Sequence, residues 1–177
     1  MIIKMEKLAN TTFYAIETSW NRVKIGKLWW KSLSLSAVLF GVGVINLNSE
    51  HIRRMQIIEN RVYRLIMRAK GYTPVAAIRG EFGSLTMENR IIESRLLLVK
   101  SIQEGNNELV KDILRKVMKD EEINGIYNKL KEYTKKMDIT YKELEKINRM
   151  EIRKKVREID TINWRKEMEE KKNIKCV

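Results

Sequence analysis

The sequence predicts an all-α protein: an irregular multi-helix bundle of about seven to eight helices in two sub-bundles, with no β-sheet. Three observations predict it. The 177 residues include one proline and eight glycines, too few breakers for the many turns of a β fold. Apolar residues recur at spacings of three and four almost throughout, which is the helical period. Hydrophobic residues make up 44% and charged residues 33%, a globular mixture too apolar for a disordered basic tail.

In the first element Met5, Leu8, Thr12 and Ile16 share one face. Val23 to Ile45 is the most apolar run, expected as helix that Gly26 breaks and that weakens near Gly41 and Gly43. Overlapping it, Ser32 to Ser49 carries no charge, at the short end of a membrane-spanning length. Nearly half of those positions are polar or glycine, and an amphipathic stretch precedes them. A buried helix is therefore expected there, rather than a membrane span or a signal peptide. A third helix is expected from a cap at Asn48 or Ser49 to Gly71, where glycine suits a left-handed C-cap. Thr73 caps and Pro74 opens a short helix that ends by Gly83. Ser84 is expected to cap the next, which reaches about Gln103 and stops at Gly105-Asn106-Asn107.

Beyond that stop, Leu109, Val110, Ile113, Leu114 and Val117 make a short amphipathic helix, and Ile123, Ile126, Tyr127 and Leu130 another. Thr140-Tyr141-Lys142-Glu143 has the spacing of a capping box. Asn148 with Glu151 forms a second cap ahead of Ile152, Val156 and Ile159. The expected organisation is a bundle over 1–105, carrying a basic helix over 49–70, and a helical extension over 106–177.

Lys plus Arg number 36 and Asp plus Glu 23, a formal net charge of +13 spread nearly evenly along the chain. Such an excess favours a polyanionic partner. The single His51 and single Cys176 exclude an intrachain disulfide and a four-ligand zinc site, and imply a reducing intracellular setting, nuclear or cytoplasmic. No Gly-rich phosphate loop is present, and Asp112, Asp120, Asp138 and Asp160 are scattered. No catalytic residue, metal or resident cofactor is expected, because two-metal phosphoryl transfer needs clustered carboxylates.

The third helix has a readable charge pattern. At about 100° per residue, Ile52, Met55, Ile58, Val62, Leu65, Ile66 and Ala69 fall within roughly 140°. Arg53, Arg54, Arg61, Arg64 and Arg68 fall within roughly 100° on the other side, with Ile57 among them. With Lys70, the stretch 53–70 holds six basic residues and one acid, Glu59. Solvated helix faces usually interleave signs. A face of arginines alone repels itself unless an anion lies alongside, so phosphate contacts are expected here. Glu59 lands in the apolar stripe and is expected to form a structural ion pair with Arg79 or Arg90. Arg149, Arg153 and Arg157 form a secondary basic patch at four-residue spacing. Glu145, Glu151 and Glu158 dilute it, and a solvated surface is its favoured reading. Trp20, Trp29, Trp30 and Trp164 are expected in packing, although adjacent Trp29 and Trp30 cannot both face inward on a helix.

Several stretches together resemble a known family. They are Leu39-Phe40-Gly41, Ile57-Ile58-Glu59-Asn60-Arg61-Val62-Tyr63-Arg64, and the block from Thr73-Pro74 through Arg79-Gly80-Glu81-Phe82-Gly83. With Ile25-Gly26-Lys27, Trp30 and the late Asp160-Thr161-Ile162-Asn163-Trp164-Arg165, their order and spacing resemble the region after the palm in non-LTR retrotransposon reverse transcriptases. The resemblance implies a helical thumb over roughly 1–72 that grips a primer–template duplex, then a C-terminal extension. It also implies RNA, DNA or an RNA–DNA hybrid as ligand and the palm of a longer RNA-directed DNA polymerase as partner. The catalytic aspartates and Mg2+ would sit in that palm, upstream of Met1. Ser36, Phe40 and Gly43 depart from the Pro, Tyr and acidic residue usual in the family. A helical protein-interaction module, docking on a palm or on itself without binding nucleic acid, is the competing expectation.

Overall fold

A computed structural model of the chain describes residues 1–17, 21–119, 131–135, 141–144 and 146–173. Among these, every regular element is a helix and none is a strand, as the scarcity of turn residues predicts. The helices are α1 (Ile2–Glu17), α2 (Arg22–Trp29), a π-helical turn (Trp30–Ser34), α3 (Leu35–Leu39), α4 (Ser49–Met67), α5 (Val75–Phe82), α6 (Met87–Glu104), α7 (Glu108–Lys119), α8 (Tyr141–Leu144) and α9 (Arg149–Asn173).

The chain divides into two compact units. One holds Met1–Phe40, Leu47–Met87 and Asp160–Val177, and the other Gly41–Asn46 and Glu88–Ile159. The boundary therefore does not fall at 105, as the Gly-Asn-Asn stop suggested. That stop ends α6, and α6 belongs with the residues that follow it.

The first unit is assembled around α4, which packs against α1, α2 and α5. Met5 and Ile16 of α1 are buried with Ile52, Met55, Val62 and Ile66 of α4, the apolar stripe that helical periodicity places on one side. Gly26 does not break α2. A Cβ there would lie 2.9 Å from the Ile16 Cδ1 and 3.0 Å from the Ile66 Cγ1, so the glycine is what lets α1, α2 and α4 approach closely. At the π-helical turn the Leu35 N–H donates to the Trp30 carbonyl, one residue further back than in an α-helix. Trp30 is fully buried and Trp29 half-buried. The same turn carries Ser34 to the Thr12 hydroxyl of α1, at 2.9 Å inside the core. The helix then ends at Leu39, short of the expected Ile45, because Gly41 turns the chain at φ 74°.

Asn48 caps α4 as expected, its side chain accepting from the His51 N–H at 2.8 Å. The helix ends earlier than expected. Arg68, not Gly71, is the left-handed C-cap at φ 51°, with its N–H on the Leu65 carbonyl and the Ala69 N–H on the Arg64 carbonyl. Ala69 and Lys70 thus lie beyond the helix. Helix α5 starts one residue later than expected, with Pro74 rather than Thr73 at the N-cap and no side-chain cap bond. It ends at Gly83 as expected, where the chain is left-handed at φ 54°. Gly80 lies flush against the Trp164 ring, where a Cβ would come within 2.8 Å of the indole, and the Trp164 Nε1–H donates to the Ala76 carbonyl at 2.7 Å. The C-terminal half of α9 is fastened to α5 in this way.

In the second unit α6 buries Ile91, Ile92, Leu96 and Val99, together with Leu144 of α8 and Ile152 and Val156 of α9. The segment 41–46 lies along α6. Gly43 sits against the Ser94 carbonyl, and buried Arg95 donates to the Ile45 carbonyl at 3.0 Å. Burial lowers the Arg95 pKa. Asn148 caps α9 through the Glu151 N–H at 2.8 Å, as expected. On α7, Leu109 and Ile113 are exposed. The helix expected over 123–130 and the cap at Thr140 lie outside the described residues, as does Trp20.

A left-handed conformation costs an ordinary side chain about 1–2 kcal/mol, partly offset for glycine by its greater unfolded-state freedom. Arg68→Gly is therefore expected to stabilise the protein by about 0.5–1 kcal/mol, read as a raised urea midpoint at unchanged m-value. An unchanged or lowered midpoint would show that the cap stores no strain.

Candidate nucleic-acid interface

The rotation of α4 is fixed from its buried side. Glu59 is fully buried there, with its Oε1 accepting from the Tyr63 hydroxyl at 2.5 Å and its Oε2 from the Gln56 side chain at 3.2 Å. The Tyr63 hydroxyl also meets the Ser84 hydroxyl at 2.5 Å, and the Tyr63 ring stacks on Phe82 of α5 at 4.0 Å. Gln56 does double duty, since its carbonyl caps the α6 N-terminus through the Met87 N–H at 2.7 Å. Two lysines close the C-terminal end of α5: Lys27 on the Glu81 carbonyl and Lys31 on the Phe82 carbonyl. The capping role expected of Ser84 passes to Gln56, because the serine hydroxyl is engaged with Tyr63.

Of the expected Glu59 partners, Arg79 is instead paired with Glu167 of α9 at 3.7 Å. Arg90 is half-buried on α6, and both it and Glu59 are engaged in further interactions. The tyrosine and glutamine next to Glu59 were not singled out from the sequence. The i+4 spacing of Glu59 and Tyr63 was the available signal.

With that face committed, the opposite side of α4 is open. Arg53, Arg54, Ile57 and Arg61 are exposed there, and Arg64 is half-buried at the same edge. They do not all carry free charge. Arg53 forms a two-point ion pair with Glu50, Nε and Nη2 at 2.8 and 2.9 Å from its two oxygens. The hydrogen bond from Arg53, with a smaller attraction from Arg54, holds the Glu50 carboxyl below its ordinary range. The pair is therefore present above that lowered value and is lost as the pH falls through it, so at neutral pH Arg53 is matched. This corrects the expectation of five unmatched arginines. Glu50 lies one turn before Arg53 on the same helix, at the spacing that lets the two side chains meet.

Arg54, Arg61 and Arg68 form no ion pair with any described residue. Arg64 donates to the Lys70 carbonyl at 2.9 Å. Arg54 and Arg61 lie about 10 Å apart along the helix, with Arg64 less than a further turn on. Lys70 follows in the turn beyond, its ammonium 5.7 Å from the Tyr72 ring centre.

The secondary patch is different. Arg149 holds Glu104 at 2.8 Å and also reaches the Ser101 hydroxyl, and Arg153 meets Glu93 at 3.4 Å. The Arg149 hydrogen bond pulls the Glu104 carboxyl below its ordinary range. Arg157 is also engaged. Arg149 and Arg153 fasten α9 to α6, and the three present no row of free guanidinium groups.

Among the described residues, no three His, Cys, Asp or Glu side chains gather to hold a metal ion, and no helix is long and apolar enough to cross a membrane. No protein-family model, curated protein or solved structure matches the chain.

The Tyr63 hydroxyl links two buried polar groups, so its loss leaves both short of a partner. Tyr63→Phe is expected to destabilise the protein by about 1–3 kcal/mol in chemical denaturation. A change below 0.5 kcal/mol would show that the bridge does not hold α4 in place.

Proposed function

We propose that the protein binds nucleic acid through the phosphate backbone, with Arg54, Arg61, Arg64, Arg68 and Lys70 as the contacting cations. The observation that carries this reading is the pair Arg54 and Arg61: exposed on one strip of a helix whose other side is fixed, and matched by no described acid. Guanidinium groups a turn or two apart along a rigid rod suit the regular negative charge of a nucleic-acid strand. Ile57, 51% exposed between them, adds an apolar contact for sugar. The surplus of +13 draws a polyanion toward the surface without selecting its sequence.

In this reading the chain is a non-catalytic, thumb-like part of a retroelement reverse transcriptase that grips primer–template duplex, and the palm that holds Mg2+ would be its protein partner. The motif resemblance supports that finer assignment. The protein-interaction reading is favoured by one observation of its own, the exposed Leu109 and Ile113 on α7. The pair Trp29 and Trp30 lends it little, because Trp30 is fully buried.

Fluorescence anisotropy with labelled RNA–DNA hybrid, duplex DNA and duplex RNA over a salt series tests the proposal. Affinity is expected to fall linearly on a log–log plot against salt. Arg54→Ala with Arg61→Ala should reduce the slope by about 2, since each phosphate contact contributes about 0.9. Glu50→Gln should steepen it by about 0.9, because it releases Arg53 to the ligand. Slopes unmoved by either change, or association of the chain with itself in place of any binding, would reject the proposal.

A further inference from the structure

The turn after α4 carries an aromatic ring that the phosphate row does not explain. We propose that Tyr72 is a base-stacking platform, so that the end of α4 takes an unpaired base in addition to the phosphates held along the arginine row. This rests on the phosphate-binding reading above.

Three observations carry it. Tyr72 is 80% exposed, which leaves its ring accessible to a ligand. The turn that presents it is pinned: the Lys70 carbonyl accepts both the Thr73 N–H at 3.0 Å and the Arg64 guanidinium at 2.9 Å. The ring stands at the third position of that turn, with the Lys70 ammonium 5.7 Å from its centre. A ring carried on a pinned backbone loses less freedom on stacking than one on a loose turn, and cations beside it hold the phosphates that flank the stacked base. Arg68 contributes through its backbone, because its left-handed φ of 51° turns the chain out of the helix and brings Lys70 and Tyr72 to the end of the arginine row. A paired base inside a duplex offers no free face to such a ring, whereas an unpaired one does.

The test compares an unstructured single-stranded oligonucleotide with a duplex whose two ends are closed by loops too tight to expose a base. Wild-type protein, Tyr72→Ala and Tyr72→Phe are titrated with both at several salt concentrations. Tyr72→Ala is expected to weaken single-strand binding about tenfold, leave closed-duplex binding unchanged and keep the salt slope, since the ring carries no charge. Tyr72→Phe should bind the single strand within about twofold of wild type. Tyr72 is exposed, so helical content by circular dichroism should be the same in all three. Equal losses on both ligands, or no loss on either, would overturn the stacking role and leave the phosphate reading standing. Wild-type protein that binds neither ligand would overturn both.

Discussion

Glu59 lies without solvent exposure on the same side of α4 as Met55, Val62 and Ile66, held by the Tyr63 hydroxyl and the Gln56 amide. A carboxylate out of water is tolerated only where hydrogen bonds replace the lost hydration. Tyr63 and Gln56 lie on α4 with Glu59, and the contacts they make beyond it, to Ser84, Phe82 and the Met87 N–H, exist at one rotation of the helix. Turning α4 by a residue would leave Glu59 on Tyr63 and Gln56, which turn with it, but would part the Tyr63 hydroxyl from Ser84, lift its ring from Phe82 and take Gln56 from the Met87 N–H. The buried polar link thus decides which residues the helix presents to solvent. Arg54 and Arg61 face outward because the side opposite them is taken.

Acids are distributed unequally among the arginines, and this separates structural from available charge. Arg79, Arg149 and Arg153 each meet a carboxylate on another helix or another part of the fold, and each joins elements that are distant in sequence. Arg53 is matched within its own helix. Arg54, Arg61 and Arg68 have no such acid among the described residues. Ion pairs at exposed positions contribute little to stability. Their larger consequence here is to leave a strip of α4 with free cationic charge. A strip of this kind gives steering and salt-sensitive attachment, and sequence preference would have to come from elsewhere.

Much of this was legible in the residues. The period of three to four fixed the helices, and the stripe on α4 told its buried side from its charged side before any coordinates. Asn48, Asn148 and Gly83 act as the caps their chemistry suggests. The misreadings share a cause: each depends on what comes near in space. Gly26 read as a breaker, yet it serves as a close-packing site because Ile16 and Ile66 arrive there from other helices. Gly71 read as the natural cap, but Arg68 takes the left-handed position. Arg22, from a distant helix, donates to the Leu65 carbonyl, and Arg64 ties down the turn beyond. Arg149 and Arg153 read as a diluted basic patch, and their acids sit 45 and 60 residues earlier on α6.

The central claim is that free and matched arginines differ in what they offer a ligand, and the arginine side-chain signals report this directly. The 15N–1H resonances of the guanidinium Nε groups can be followed as a short RNA–DNA hybrid is added. The account predicts that Arg54, Arg61 and Arg64 shift and gain protection from solvent exchange, while Arg149 and Arg153 stay in place. Movement of Arg149 and Arg153 with a silent α4 would contradict it.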